Sequence, residues 1–426
     1  MTESDHTGSP SEPEATPLLA PREGVPPLLT SAAEIARAAE RLAAGEGPFA
    51  IDAERASGFR YSNRAYLVQI RRAGAGTVLI DPVNHGGDPV ATLAPVAEVL
   101  ATDEWVLHAA DQDLPCLAEL GMRPPKLYDT ELAGRLAGHD KVNLAAEVQR
   151  LLGLQLTKGH GAADWSKRPL PPEWLNYAAL DVEVLLELRE AIAKVLAEQG
   201  KTEWAAQEFE YLRTLEPQPT RRDRWRRTSG IHKVRDRRAL AAVRELWLVR
   251  DQIAQRRDIA PGRILPDSAI IEAALADPDT VEKLTALPVF GGPRQRRLAR
   301  VWLDALARAR TTDDPPEIHE PSNGPPPASR WQRRKPEAAA RLEAARAELS
   351  ELSQQISVPA ENILTPEIVR RLCWDWQPRP TLDTTAAAVE EFLRRAGARP
   401  WQRELTVPRL ARALSAEHAP ADSADA

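Results

Sequence analysis

The chain has 426 residues, 43% of them hydrophobic, with 56 Lys and Arg against 62 Asp and Glu and a net charge of −6. That length admits about two to four domains with real cores, and the negative balance excludes a uniformly basic nucleic-acid binder. No apolar run approaches the ~18 residues of a membrane span, and the two cysteines, Cys116 and Cys373, match no metal-ligand spacing and fit a reducing compartment.

Residues 1–27 are acidic, polar and rich in proline, which predicts a disordered tail. They lack a basic region followed by an apolar one, so no secretory signal is read there and a cytoplasmic location, away from membranes, is expected. Leu29 to Leu42 predicts a helix with Ser31 as N-cap. Strands are predicted at Phe49–Ala53, Tyr66–Arg71, Thr77–Asp81 and Trp105–His108, with Gly74-Ala75-Gly76 turning the second into the third as an antiparallel hairpin. Helices are predicted over Pro89–Leu100, from near Asp113, over Asn143–Leu152, and as one long element from Pro172 to Glu198 with proline in its first turn. Such a succession implies a mixed sheet flanked by helices. This unit is expected to span 28–215 and to close at Leu215-Glu216-Pro217-Gln218-Pro219.

A basic linker is expected over 216–235. Arg221, Arg222, Arg224, Arg226, Arg227, Lys233 and Arg235, with Arg237 and Arg238 beyond, crowd around Trp225. Guanidinium groups there suit phosphate and base stacking, or the stretch is a solvated connector. An all-helical unit follows over 236–310, with Leu240, Val243, Leu246, Trp247, Val249 and Ile253 as its apolar stripe. A Pro-rich, extended and mobile spacer is expected at 311–334, a second helical unit at 335–414 and a polar tail at 415–426. Pro261-Gly262-Arg263-Ile264-Leu265-Pro266 echoes Pro359-Ala360-Glu361-Asn362-Ile363-Leu364-Thr365-Pro366, which suggests that the two helical units are copies.

Acidic residues supply the chemistry. Asp52 and Glu54 end a strand-like run, and residues two apart on a strand face the same way. Asp113 follows the run Trp105–His108, and Asp181 lies four residues beyond Tyr177, on the same helical face. Carboxylates gathered at a sheet end repel, by roughly 4 kcal/mol per pair at ~4 Å and an effective dielectric of about 20. A hard divalent cation, Mg²⁺ or Mn²⁺, turns that repulsion into binding. Two such ions ~3.5–4 Å apart suit the attack of water on a phosphodiester. Singly these signals are weak, since an acidic pair ending a strand is commonly just solvated and an isolated Tyr-x-x-x-Asp is commonly a core tyrosine beside an exposed acid. Their succession along the chain gives them weight.

Taken jointly, four segments resemble the DEDD superfamily of 3′→5′ exonucleases, in the branch with a tyrosine in its third motif, and within it the ribonuclease D family. They are Ile51-Asp52-Ala53-Glu54 with Arg64-Ala65-Tyr66-Leu67-Val68-Gln69-Ile70 downstream, Leu107-His108-Ala109-Ala110-Asp111-Gln112-Asp113-Leu114, Asp164-Trp165-Ser166-Lys167-Arg168-Pro169-Leu170, and Tyr177-Ala178-Ala179-Leu180-Asp181. Tyr128-Asp129-Thr130 fits as well, and 236–310 resembles an HRDC domain. The resemblance implies an α/β ribonuclease H-like exonuclease domain, its mixed sheet flanked by helices, followed by one or two all-α HRDC-type domains. It implies Asp52, Glu54, Asp113 and Asp181 as ligands of two divalent ions, Mg²⁺ or Mn²⁺, with Tyr177 orienting or helping to deprotonate the water. It further implies release of nucleoside 5′-monophosphates from the 3′ end of RNA, with tRNA precursors as substrates; a monomer is expected.

The family register favours Asp113 over Asp111 as the ligand, with Asp111 free to cap the next helix, and makes His108 a supporting residue. Lys158, His160, Trp165 and Arg168 have two readings: a grip on the 3′-terminal nucleotide, or simple packing with Arg168 paired to an acid. Phe290-Gly291-Gly292-Pro293-Arg294 likewise suits phosphate contact or plain structure. The alternatives are a DNA 3′–5′ exonuclease of the same superfamily and a catalytically silent RNA-binding adaptor. Truncation after about residue 215 is expected to preserve cleavage of short oligomers while weakening capture of long structured RNA.

Overall fold

A computed structural model describes residues 15–83, 87–156, 159–216, 223–318 and 324–415. The first unit comprises β1 (Thr16–Leu18), β2 (Leu28–Leu29), α1 (Ala32–Ala43), β3 (Glu46–Arg55), β4 (Ala65–Ala73), β5 (Gly76–Ile80), α2 (Pro89–Leu100), β6 (Glu104–Leu107), α3 (Leu114–Glu119), β7 (Lys126–Asp129), α4 (Thr130–Ala137), α5 (Leu144–Leu152), β8 (Leu154–Leu156), α6 (Pro172–Glu183), α7 (Leu185–Glu198) and α8 (Thr202–Thr214). Its six-stranded sheet runs β2-β5-β4-β3-β6-β7, antiparallel at β3/β4 and β4/β5 and parallel elsewhere. The mixed sheet and its hairpin are as the sequence predicts.

Local chemistry sets the elements. Ser31 and Glu34 form a reciprocal capping box at the start of α1, satisfying two of the orphan amides there. In β3 the alternation sends Phe49, Ile51 and Ala53 into one core with Ile35 and Leu42 of α1 and Leu93 and Val96 of α2. Ala50 points the other way, into a core with Leu136, Val148, Leu188 and Ile192. Asp52 and Glu54 continue that second face until the sheet runs out.

The predicted long helix from Pro172 to Glu198 is two helices, with Val184 (φ −98°, ψ −11°) as the joint. The break lets α6 cross β3, β4 and β5 while α7 lies along β3 and β6. No glycine or proline marks it, because a buried Val184 at the turn serves both helices.

The predicted disordered tail is a correction from residue 15 onward. Thr16–Leu18 pairs in parallel with Leu154–Leu156, and Leu28–Leu29 adds an edge strand beside β5. Proline-rich backbone suits short edge strands, and Arg22 ties it down on Glu187 (3.0 Å). Residues 1–14 lie outside the described residues, as do Lys158, Arg221, Arg222 and the tail beyond Ser415.

The second unit holds α9 (Arg237–Arg257), α10 (Pro261–Ile264), α11 (Asp267–Ala276), α12 (Val281–Thr285) and α13 (Pro293–Thr311); the third holds α14 (Trp331–Arg334), α15 (Pro336–Ile356), α16 (Ala360–Ile363), α17 (Pro366–Asp375), α18 (Leu382–Arg395) and α19 (Pro400–Ser415). The echoed segments fall on matching architecture. α9, α10 and α11 have 21, 4 and 10 residues, and α15, α16 and α17 have the same lengths. Both long helices end on a left-handed residue, Asp258 (φ 48°) and Ser357 (φ 49°). The two units diverge afterwards.

Neither expected linker is a plain connector. Trp225 and Val234 are buried in the core of the second unit, and Trp331 in that of the third. Three arginines of the basic stretch, and Arg244 beyond it, are spent on backbone. Arg237 donates to the carbonyl of Pro315 (2.7 Å), Arg226 to Glu317 (3.0 Å), Arg238 to Thr312 (2.5 Å) and Arg244 to Asp314 (3.4 Å). A proline-rich segment makes no internal ladder, so its carbonyls need outside donors, and the arginines supply them.

Candidate active site at the carboxyl ends of β3 and β6

β3 and β6 run in parallel, Phe49 opposite Trp105 and Ala50 opposite Val106, so both deliver their following residues to the same sheet edge. Crevices at such edges are the usual sites of open α/β sheets. A cleft of about 410 Å³ opens there, lined by residues that include Asp52, Glu54, Arg55, His108, Asp113, Asn143, Tyr177 and Asp181. Four acids and a tyrosine from three separate segments therefore converge.

The carboxylates divide into a triad and an outrider. Asp52, Glu54 and Asp181 offer oxygens within 4.8 Å of one another. Asp113 stands beside them, buried, its Oδ1 3.2 Å from Arg55 and its carboxyl close enough to Asp52 for each to shift the other's protonation. Asp111 is exposed and outside the lining, and it does not cap α3, which begins with no side-chain cap.

Each acid is held by identifiable chemistry. Asp52 faces Gln69 across β3/β4 and accepts from its Nε2 at 3.2 Å. Asp113 hangs on a turn that opens with Ala109 in the left-handed region (φ 60°), costly for a residue with a Cβ. Asp129, at the end of the neighbouring β7, clasps that turn. Its carboxylate accepts from the amides of Ala109 (3.1 Å) and Ala110 (2.8 Å) and also from Glu131 and Leu132 at the start of α4. Asp181 rides on α6, which Arg71 of β4 anchors two residues further on at Glu183 (3.1 Å). The ring of Tyr177 lies over Gly159, where an added Cβ would come within 2.2 Å of it; glycine is required by that approach.

Crowding shows in the protonation equilibria. Burial, then the neighbouring carboxylates, push Glu54 well above the ordinary range; burial and Asp52 do the same to Asp181. Burial also raises Asp52, and it lifts Asp113 to about 9 with help from Asp52. Burial raises Tyr177 as well, followed by the charges of Asp181 and Glu54, so its phenol keeps its proton at neutral pH. His108 is pushed down to about 4 by burial and is neutral, with Nδ1 2.9 Å from Thr130. An all-oxygen donor set that resists ionisation for want of counter-charge fits hard divalent cations.

The rim residues resolve towards packing. Trp165 is fully buried, and Arg168 grips Asp81 with Nε at 2.6 Å and a terminal nitrogen at 2.9 Å. His160 lies edge-on to Tyr177, ring centroids 5.9 Å apart. In the glycine-rich turn of the second unit Phe290 is core, and Arg294 and Arg296 donate to the carbonyls of Arg263 and Gly291.

Arg55, Gln69 and the clasp by Asp129 escaped the sequence reading. Asp129 left a signal, an acid between a strand and a Thr-Glu start that reads as an N-cap. Arg55 left none, because strand alternation turns it away from Glu54.

This arrangement belongs to a known class. Residues 28–197 match the 3′–5′ exonuclease family, 239–306 the HRDC domain, and 324–414 a family described as the 3′ to 5′ exonuclease C-terminal domain rather than a second HRDC domain. The chain is 32% identical over 315 residues to ribonuclease D of Gluconacetobacter diazotrophicus, 71% of this chain and 77% of that one. It is 30% identical over 308 residues to ribonuclease D of Nitrobacter hamburgensis, 70% and 78% of the two chains. A solved protein from Bifidobacterium adolescentis superposes with a TM-score of 0.84 at 37% identity, over 94% of this chain and all of that one. Escherichia coli RNase D shares the fold, with a TM-score of 0.63 at 22% identity over 87% and 98%. The chain belongs to the ribonuclease D family of 3′–5′ exoribonucleases. Among the described residues no helix is long and apolar enough to cross a membrane.

Proposed function

We propose that the cleft removes nucleotides one at a time from the 3′ end of RNA, tRNA precursors among its substrates, releasing nucleoside 5′-monophosphates with two Mg²⁺ or Mn²⁺ ions. The observation that carries this is the convergence of Asp52, Glu54 and Asp181 within 4.8 Å, with Asp113 beside them. Asp52, Glu54, Asp113 and Asp181 would hold the ions. Ions bound there supply Lewis acidity to water and phosphate alike.

The chain's own residues do the rest. Asp52, central between Gln69, Asp113 and the triad, suits a bridging position. Tyr177, raised by burial and by the charges of Asp181 and Glu54, keeps its proton and orients the attacking water through its hydroxyl. Gly159 and His160 hold the phenol in place. Tyr177→Phe is expected to retain metal and RNA affinity while turnover falls roughly 10²-fold; unchanged turnover would reduce Tyr177 to packing.

The test is digestion of 3′-labelled and 5′-labelled RNA, and matched DNA, with and without chelator. The 3′ label should appear at once as mononucleotide and the 5′ label shorten stepwise, on RNA in preference to DNA, with both stopped by chelator. Internal cuts, or cleavage that survives chelation, would overturn the reading.

A further inference from the structure

Arg55 is the last residue of β3. Simple alternation would point it to the opposite face from Glu54, into the apolar core. The ladder slips at this point: Glu54 pairs with Leu67, but Arg55 pairs with Ala65. Such irregularities re-aim side chains beside active sites, and this one turns the guanidinium into the cleft.

Among the described residues lining that cleft, Arg55 is the only lysine or arginine. It faces several carboxylates yet is committed to one, Asp113, at 3.2 Å, and its side chain is only 21% exposed. Its Nε is buried with no hydrogen-bond partner. Asp113 is also the acid that stands outside the three-carboxylate cluster. The one acid set apart is thus the one already holding a cation.

We propose that Arg55 shares Asp113 with a metal ion: it holds the carboxylate in place while the site is empty and passes to a substrate phosphate oxygen as the metal takes Asp113. This rests on the metal-dependent reading above. A guanidinium suits the exchange because carboxylate and phosphate present it with the same paired acceptors. Its stem is fixed at the strand end, so releasing Asp113 leaves the charge at the cleft, and the idle Nε gains a partner.

Full-length wild type, Arg55→Gln, Arg55→Lys and Asp181→Asn are compared by Mn²⁺ titration without RNA. Single-stranded RNA affinity is measured separately in Ca²⁺ with a phosphorothioate-ended oligonucleotide, and circular dichroism confirms folding. Arg55→Gln should bind Mn²⁺ several-fold more tightly, its competitor gone, yet bind RNA roughly tenfold more weakly for want of a charge-assisted bond. Arg55→Lys, which keeps the charge and loses the fork, should fall between the two on both readouts. A residue that merely supports the fold would weaken both together. Mn²⁺ affinity unchanged or reduced in Arg55→Gln overturns the sharing of Asp113, and unchanged RNA affinity overturns the transfer to phosphate. If Asp181→Asn also leaves Mn²⁺ binding intact, the failure lies in the metal reading instead.

Discussion

Where the HRDC unit meets the exonuclease domain the contacts are polar and local; where the C-terminal unit meets it they are a shared core. On the HRDC side Asp258 accepts from the amide of Ser62 (2.8 Å), from Arg64 (3.3 Å) and from Tyr66 (3.4 Å), while Tyr61 donates to Asp251 (3.1 Å). Ala260 donates to the Phe59 carbonyl (2.9 Å) and Arg263 to that of Gly58 (2.8 Å). On the other side Trp204 and Trp401 stack, centroids 5.0 Å apart, and Glu208 accepts from both Arg399 (2.7 Å) and the Trp401 indole (2.8 Å). One hydrophobic cluster runs from Val106 and Leu188 through Phe209 to Trp331, Leu372 and Leu410 without interruption. The first junction clasps the loop that follows Glu54 and Arg55, so it bears on catalysis. The second lies behind α4, α7 and α8 and bears on whether the fold exists. The boundary expected near residue 215 does not close a core: the face at Trp204, Phe209 and Leu196 belongs to the C-terminal unit's core as well, and a fragment ending there would expose it.

The largest expected effect is at the shared core. Trp401→Ala should cost about 3–5 kcal/mol, read as a lower denaturant midpoint, and deletion of 324–426 should give insoluble protein; a soluble, cooperative fragment would separate the two cores. Glu208→Gln, which leaves Arg399 without its counter-charge, should cost about 2 kcal/mol, less than a fully buried pair because Arg399 is partly exposed. A melt unchanged within error would show the pair to be surface decoration.

The acidic cleft supplies a third contrast. Its carboxyls have folded pKa values above their unfolded ones, Asp113 at about 9 and Glu54 and Asp181 well above the ordinary carboxylate range. The folded state therefore binds more protons than the unfolded one, and this contribution is present at low pH and lost as pH rises through those values. Chelated protein should melt at progressively lower temperature from pH 5.5 to 9, and saturating Mg²⁺ should flatten or reverse the trend. Identical slopes with and without metal would break the link between these acids and cation binding.

Asp258→Asn is the smallest perturbation. Asparagine tolerates the left-handed backbone at that position, so the melt should move little. Turnover should fall a few-fold as the Ser62 loop loosens behind Arg55. Loss of stability without loss of turnover would make the HRDC junction a strut rather than an active-site support.

The sheet, its hairpin and the acids at its end were legible because alternation and helical spacing are local properties of the chain. Phe49 to Glu54 and Tyr177 to Asp181 carry their geometry in their spacing. What escaped depends on partners far away in sequence. Val184 breaks a helix where α6 and α7 part to pack on different strands. Arg226 and Arg237 look available for phosphate until the carbonyls of 312–317 are placed beside them. Trp225 and Trp331 read as linker residues because nothing nearby in sequence shows the cores that take them in.

The clasp at Ala109 and Ala110 has a consequence for tolerance to change. An acid remote from the cleft, Asp129, fixes by two amide bonds the peptide from which Asp113 is aimed. Error in the aim of Asp113, the proposed metal ligand, is thus inherited from a residue that no nucleotide needs to touch, and substitutions on β7 are expected to lower activity while leaving every chemical group in the cleft intact.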